Sequence, residues 1–166
     1  MSTATNGEWK IIKGLGSAKL AQIKAALEIG RRFRENEVRE DRLIIRSSND
    51  IVTLLSPQLR DLKKESFKTV FLDAKNVIID IETSTQGTVN QAVPFVREII
   101  FSALQRHAVA LICSHNHPSG DPSPSIQDKQ FTHELKKAAS LMNIKMLDHI
   151  IIGNNKFYSF ADEADL

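Results

Sequence analysis

The sequence predicts a mixed α/β (α+β) fold: a largely antiparallel sheet with helices on either side, preceded by a short helical appendage. Three observations carry this expectation. FKTVFLD and VIIDIETS flank the turn residues Ala74-Lys75-Asn76 and read as the two strands of a hairpin. AVALICSH (108–115) is a short, continuous apolar run of the kind that forms a buried central strand. Elsewhere apolar residues recur at helical spacing, as in Phe131, Leu135, Ala138 and Met142.

In chain order, residues 1–8 read as a disordered lead-in and order is expected from Trp9 to Ile12. Gly14-Leu15-Gly16-Ser17 then precedes a helix through about Phe33, with a partial apolar stripe at Leu20, Ile23, Leu27 and Ile29. Arg31, Arg32 and Arg34 fall in its last turn, where cations suit the helix dipole. The charged ENEVREDR (35–42) reads as a linker or frayed helix end, which sets a boundary between residues 1–42 and 43–166. Ile44 and Ile45 suggest a short strand. Ser47 to Asp50 can cap a helix, and Ser56-Pro57 is expected to open another, with Leu59 and Leu62 on its inner side.

After the 67–84 hairpin, residues 85–90 form a loop, and Pro94 opens a helix whose Phe95, Ile99, Ile100 and Leu104 share one face. The central strand (108–115) and a Pro/Ser/Gly loop lead to a helix from about Ile126 to Met142. IKMLDHIIIG then supplies a strand, and KFYSF a last short one after Gly153-Asn154-Asn155.

Composition bounds the function classes. The 166 residues, 42% hydrophobic and 25% charged, suit one domain with a core plus a short appendage. Aromatics at 6% argue against an aromatic-rich binding sheet. No apolar run reaches the roughly 18–20 residues of a membrane span. The opening MSTATNGEWK lacks the pattern of a secretory signal, so a cytoplasmic location is expected. Cys113 is the single cysteine, which excludes an internal disulfide and a Cys-rich zinc knuckle, and it reads as a core residue. Net charge is only +2, yet residues 1–46 hold ten Lys/Arg against six Asp/Glu. That asymmetry suits either a nucleic-acid or acidic-partner surface or a solvated helix face.

The chemistry lies in residues 114–128, SHNHPSGDPSPSIQD. His115 and His117, two apart at a strand end, project from the same face, so two imidazole nitrogens can converge on one ion. Pro118, Gly120, Pro122 and Pro124 forbid a continuing strand and force a tight loop. The loop returns Asp128, in the first turn of the next helix, to the same point. Two histidines and a carboxylate are the usual protein ligands of a catalytic zinc that keeps one position open. Taken singly the pieces are weak: H-x-H alone signals little, and Ser125 to Asp128 also reads as an ordinary capping box. Their combination gives the reading its force.

The pattern H-x-H, seven residues, S-x-x-D resembles the JAMM (MPN-type) metalloproteases. HNHPSG followed by PSxxD, with FLDAKNVII, GTVNQAVPFVREIIFSAL and LDHIIIG, resembles the RadC-like branch of that superfamily over roughly residues 44–166. The resemblance implies the JAMM/MPN fold, a twisted sheet flanked by helices, and Zn2+ held by His115, His117 and Asp128. It also implies that Ser125 hydrogen-bonds the water or oxyanion and that an upstream glutamate is the general base. Glu65, entering the first strand in KESFKTVFLD, is preferred for that role, with Glu98 as the rival. Asp148-His149, ahead of an apolar strand, reads as a structural hydrogen-bonding pair.

GLGSAKLAQIKAALEIGRRF resembles the second half of a helix-hairpin-helix element of the kind that precedes the RadC domain. There a G-hydrophobic-G turn offers backbone N–H groups to a phosphate. Gly14 and Gly16 fit that turn, with Lys13 and Lys19 nearby, although too little chain precedes them for the rest of that domain. A helix packing on the main domain is the alternative. The expected function is therefore a zinc-dependent hydrolase cutting a peptide or isopeptide bond. The alternative is a DNA repair or recombination accessory protein whose metal is structural or idle. An H-x-H phosphoesterase fits less well, since such barrels need more ligands and a longer chain.

Overall fold

The structure is a computed structural model that describes residues 17–40, 43–86 and 94–166. The expectations placed on Trp9 to Ile12, on Lys13, Gly14 and Gly16, and on the end of the 85–90 loop lie outside these residues. Contacts divide the chain into two units, 1–42 and 43–166. In the first, helix α1 spans Ser17–Glu40, so the charged stretch after Phe33 continues the helix rather than ending it. Glu and Arg are good helix formers, and residues 34–40 hold no Gly or Pro to stop the turn.

Near the start of the second unit, Ile44 makes an isolated bridge to Val77 rather than a full strand. Helix α2 (Ser48–Leu59) starts at a capping box in which Ser47 and Asp50 satisfy each other's backbone amides. It runs as one helix through Pro57, and the separate helix expected at Ser56-Pro57 does not form. An interior proline loses its amide donor and its ring crowds the carbonyl four residues back, at ~3 kcal/mol or more. Burial of Ile51, Leu55 and Leu59 one turn apart offsets that loss, at ~1.5–3 kcal/mol for each such side chain.

Strands β1 (Ser66–Leu72) and β2 (Ile78–Gln86) form the expected antiparallel hairpin. Asp73 Oδ1 closes its turn by accepting the amide protons of Lys75 and Val77, and Asn76 takes the left-handed conformation at φ 58°. Helix α3 (Val96–Gln105), strand β3 (Ala110–Asn116), helix α4 (Ile126–Leu141), strand β4 (Lys145–Ile152) and strand β5 (Phe157–Ser159) follow. The sheet order is β2-β1-β3-β4-β5, and every neighbour pair is antiparallel except β3 with β4, which α4 connects. A mixed, mostly antiparallel sheet flanked by helices is thus the architecture, and it fits the JAB/MPN fold.

One sheet face packs Phe67, Phe71, Leu111 and Cys113 against Ile99, Phe131 and Leu135 of α3 and α4. The other packs Val70, Ile112, Ile150 and Ile152 against α2. Two helix faces differ from expectation. In α3 the buried residues are Ile99, Ile100 and Ala103, while Phe95 and Leu104 are 60% and 48% exposed. Phe95 is the N-cap, extended and ahead of the first turn, so it cannot share the inner face. In α4 the inner line is Phe131, Leu135 and Ala139, and Met142, already at the C-cap, is half exposed. Among the described residues no helix is long and apolar enough to cross a membrane.

Candidate metal centre

Strand β3 is central, so its C-terminal end is clamped on both sides: His115 pairs with Phe67 of β1 and with Ile151 of β4. His115 is buried, and the Phe67 ring lies parallel to its imidazole with centroids 5.8 Å apart. One residue beyond the strand, the amide of His117 donates to the Ile152 carbonyl at 2.9 Å, so the chain is still anchored to the sheet there.

The loop after His117 is fixed from within. Gly120 takes φ 84° and its amide donates back to the His117 carbonyl at 2.9 Å. Its own carbonyl accepts from the Asn154 amide, and a Cβ at Gly153 would stand 2.4 Å from that carbonyl oxygen. The loop therefore rests on backbone of the β4–β5 turn, and only glycine at 153 leaves room. Asp121 Oδ1 takes both the amide and the hydroxyl proton of Ser123, which turns the Asp121 carbonyl to within 2.8 Å of His117 Nδ1.

Asp128 is delivered by the start of α4. Ser125 is the N-cap; its Oγ accepts from the Asp128 amide at 3.1 Å, while Asp128 Oδ2 accepts from the Ser125 amide at 2.8 Å and hydroxyl at 2.6 Å. The capping box foreseen as the ordinary reading is the device that aims this buried carboxylate. Oδ1 comes within 3.3 Å of His115 Nε2 and Oδ2 within 3.5 Å of His117 Nε2, and the two Nε2 atoms are 3.1 Å apart. Each of the three residues offers one ligand atom, all within 4.8 Å of one another.

Electrostatics reflect this crowding. Burial works to raise the Asp128 carboxyl, yet the His115 and His117 imidazoles beside it hold it far below the usual carboxylate range. His117 is raised, chiefly by its hydrogen bond to Asp128; burial opposes this, and the Asp121 carbonyl and the nearby charge of Glu65 add to it. Deeper in, His149 is wholly buried and held well below its ordinary value, first by that burial and then by the charge of His115. Its Nε2 lies 3.0 Å from His115 Nδ1 and its Nδ1 2.6 Å from Thr132 Oγ1.

The donor set suits a divalent cation. The Asp121 carbonyl can only accept, so a neutral His117 carries its proton on Nδ1 and points the Nε2 lone pair at the carboxylate and the other imidazole. Lone pairs facing one another need a positive centre between them. The two Nε2 atoms stand 3.1 Å apart, and with one carboxylate oxygen of Asp128 they form a set of three ligand atoms within 4.8 Å of one another. A His-His-Asp group that can hold a metal ion is therefore present.

Glu65 sits immediately before β1, half buried, and lines a cleft of about 910 Å³ together with Phe95, His117, Ser125, Asp128 and Glu134. Glu98 is exposed on the first turn of α3 and is not among the residues lining that cleft. Asn116, between the two histidines, is fully buried: its Oδ1 accepts from the Ser66 amide and its Nδ2 donates to the Leu62 and Lys64 carbonyls. Cys113 is buried in the core, and burial pushes its thiol up, as suits a residue with no ligand role. Of the residues proposed for nucleic acid, Lys19 is exposed on α1 and Lys13, Gly14 and Gly16 lie outside the described residues.

Sequence reasoning did not single out Asn116, and it read His149 only as the structural partner of Asp148. Asp148 does behave as a structural partner: its Oδ1 accepts from the His149 amide. The imidazole, however, reaches the metal centre. The available signal was parity, since His149 pairs with Cys113 across the β3–β4 ladder and so faces the same side as His115.

The family model described as the RadC-like JAB domain matches residues 45–165. The chain is 45% identical over 164 residues to a UPF0758 protein of Desulforamulus reducens, covering 99% of the chain and 72% of that protein. It is 42% identical over 164 residues to a UPF0758 protein of Methanosarcina mazei, covering 99% and 71%. A UPF0758 protein of Bacillus licheniformis is 41% identical over 166 residues, covering 100% and 74%.

Proposed function

The chain belongs to the RadC-like JAB domain family, and on that premise we propose that it is a zinc-dependent hydrolase of the JAMM type, a metallopeptidase acting on a peptide or isopeptide bond. The observation that carries this reading is the meeting of His115 Nε2, His117 Nε2 and the Asp128 carboxylate at the edge of a cleft that Glu65 and Ser125 also line.

His115, His117 and Asp128 would hold the ion, and zinc bound there would supply Lewis acidity to polarise a carbonyl and acidify water. Glu65 is the general base: its carboxylate takes a proton from the attacking water as the new C–O bond forms at the carbonyl carbon. As the C–N bond breaks, Glu65 returns that proton to the amine nitrogen. The Ser125 hydroxyl, held on Asp128 Oδ2 in this structure, turns to donate to the oxyanion that develops during attack. The fixed loop and the stacked Phe67 ring keep the imidazoles in place, so reorganisation during the reaction is small.

The test combines metal content with turnover on a peptide library. The expected result is one zinc per chain and hydrolysis that is lost in Glu65→Gln with zinc retained. Hydrolysis unchanged in both Glu65→Gln and Asp128→Asn would assign the activity to a contaminant and end the reading.

A further inference from the structure

His115 Nδ1 points away from the metal centre into the core, and what it meets there is a chain of hydrogen bonds whose direction can be read from one end. The chain starts at the Asp128 main-chain carbonyl, which only accepts. Thr132 Oγ1 lies 2.6 Å from that carbonyl, one helical turn on, and spends its single proton there. Toward His149 Nδ1, also 2.6 Å away, the Thr132 oxygen can then only accept, so His149 carries a proton on Nδ1. His149 is enclosed by aromatic rings: Phe160 stacks on it at 5.1 Å and Phe67 and Phe131 lie within 6 Å. A second proton, and with it a full charge, is costly in that setting. Its Nε2 therefore accepts, and the proton in the 3.0 Å contact belongs to His115 Nδ1.

We propose that His149 and Thr132 are positioning residues of the metal centre, which lock His115 in its Nδ1–H tautomer and so keep the lone pair of Nε2 directed at the ion. The alternative tautomer would place a proton on His115 Nε2, 3.3 Å from Asp128 Oδ1, where it would satisfy the carboxylate internally and close the site to a cation. The relay ends on the residue that supplies the third ligand, so the first turn of α4 sets both the carboxylate and, through Thr132 and His149, the facing imidazole. His117 reaches the same state by a shorter route, through the Asp121 carbonyl. Such outer partners typically change metal affinity 10–100-fold when removed.

This inference rests on the metal-site reading above but is tested apart from it. In the full chain, 15N-labelled at histidine, stripped of metal and held at a pH where the imidazoles are neutral, two-bond 1H–15N correlations report the His115 tautomer directly. The expected result is a proton on Nδ1 and a pyridine-like Nε2; a proton on Nε2 overturns the proposal. In zinc competition against a chelator, Thr132→Val and His149→Leu should bind at least ~10-fold more weakly, and Thr132→Ser should restore the wild-type value. A merely structural role would lower the melting temperature without that loss of affinity or its rescue by serine. Should His149→Leu fail to fold, the Val/Ser pair at 132 still decides, and wild-type affinity in folded Thr132→Val overturns the proposal. A wild-type chain that takes up no zinc sinks the hydrolase reading, while the tautomer of the metal-free protein still decides this one.

Discussion

Asn116 Oδ1 accepts the amide proton of Ser66 at 2.8 Å, joining the residue between the two metal-site histidines to the first residue of β1. The same side chain donates to the carbonyls of Leu62 and Lys64, so it grips the chain on both sides of Glu65. The distance between the proposed base and the metal ligands is therefore held by this buried amide together with the β1–β3 ladder that pairs Phe67 with His115.

Replacing that amide should uncouple the base from the metal. Asn116→Leu orphans the buried Ser66 amide, at ~1–3 kcal/mol, and takes their donor from two part-buried carbonyls. The expected outcome is a several-degree fall in melting temperature and a loss of hydrolysis larger than any loss of zinc affinity. Equal losses of both would place Asn116 in service of the histidines instead.

Glu65→Gln keeps the shape of the side chain and removes its capacity to take a proton. Hydrolysis should fall by ~10²–10⁴-fold, with zinc content and melting temperature at wild-type values. Glu98→Gln, on the exposed turn of α3, should leave turnover unchanged. A reversed pattern in parallel kinetic assays would transfer the role to Glu98.

Gly153→Ala tests whether the loop's seat on the β4–β5 turn holds the metal site. The added methyl would meet the Gly120 carbonyl oxygen at 2.4 Å and Pro122 Cδ at 2.9 Å, both rigid. The loop must move, at ~1–3 kcal/mol for overpacking of this kind, and the Asp121 carbonyl moves with it. Thermal unfolding should show the destabilisation and zinc titration a weaker site. Unchanged zinc affinity would mean that the Asp121–His117 contact does not orient the imidazole.

Asp148 gives a pH dependence of known sign. Its carboxylate accepts from the His149 and Ala161 amides and from the Ser159 hydroxyl, yet burial raises it above the ordinary 3.8. A carboxyl whose folded value is raised contributes stability that is full below the unfolded value and is lost as pH rises through the folded one. Asp148→Asn cannot ionise and keeps an oxygen for the two amides. It should gain on the wild type as pH rises from about 4 toward neutrality, read as the difference between their denaturant midpoints. A difference constant with pH would show that the carboxyl is not penalised in the fold.

The parts of the fold that the sequence disclosed are those where one local rule dominates. The hairpin was legible because two strand-like runs, FKTVFLD and VIIDIETS, flank the turn residues Ala74-Lys75-Asn76, and β3 because a strand buried on both faces needs an unbroken apolar run. The triad was legible because strand parity puts His115 and His117 together and the Pro/Gly loop turns the chain back at Asp128; that the capping box at Ser125 aims the carboxylate is what the structure adds. What stayed hidden depends on tertiary choice. Pro57 stays inside α2 because the packing of Ile51, Leu55 and Leu59 outweighs the lost hydrogen bond and the crowding of the proline ring. Phe95 and Leu104 satisfy the helical period, yet Ile99, Ile100 and Ala103 are the residues that meet the sheet. His149 reaches His115 only through the register of a parallel ladder, 34 positions away, which no local pattern encodes.

The most direct measurement of the central claim is an anomalous difference map from crystals grown with zinc. One ion is predicted within roughly 2.0–2.2 Å of His115 Nε2, His117 Nε2 and an Asp128 oxygen, with no fourth protein ligand, and none in Asp128→Asn crystals. Absence of the ion from wild-type crystals at saturating zinc, or a fourth side chain closing its coordination, would contradict the account.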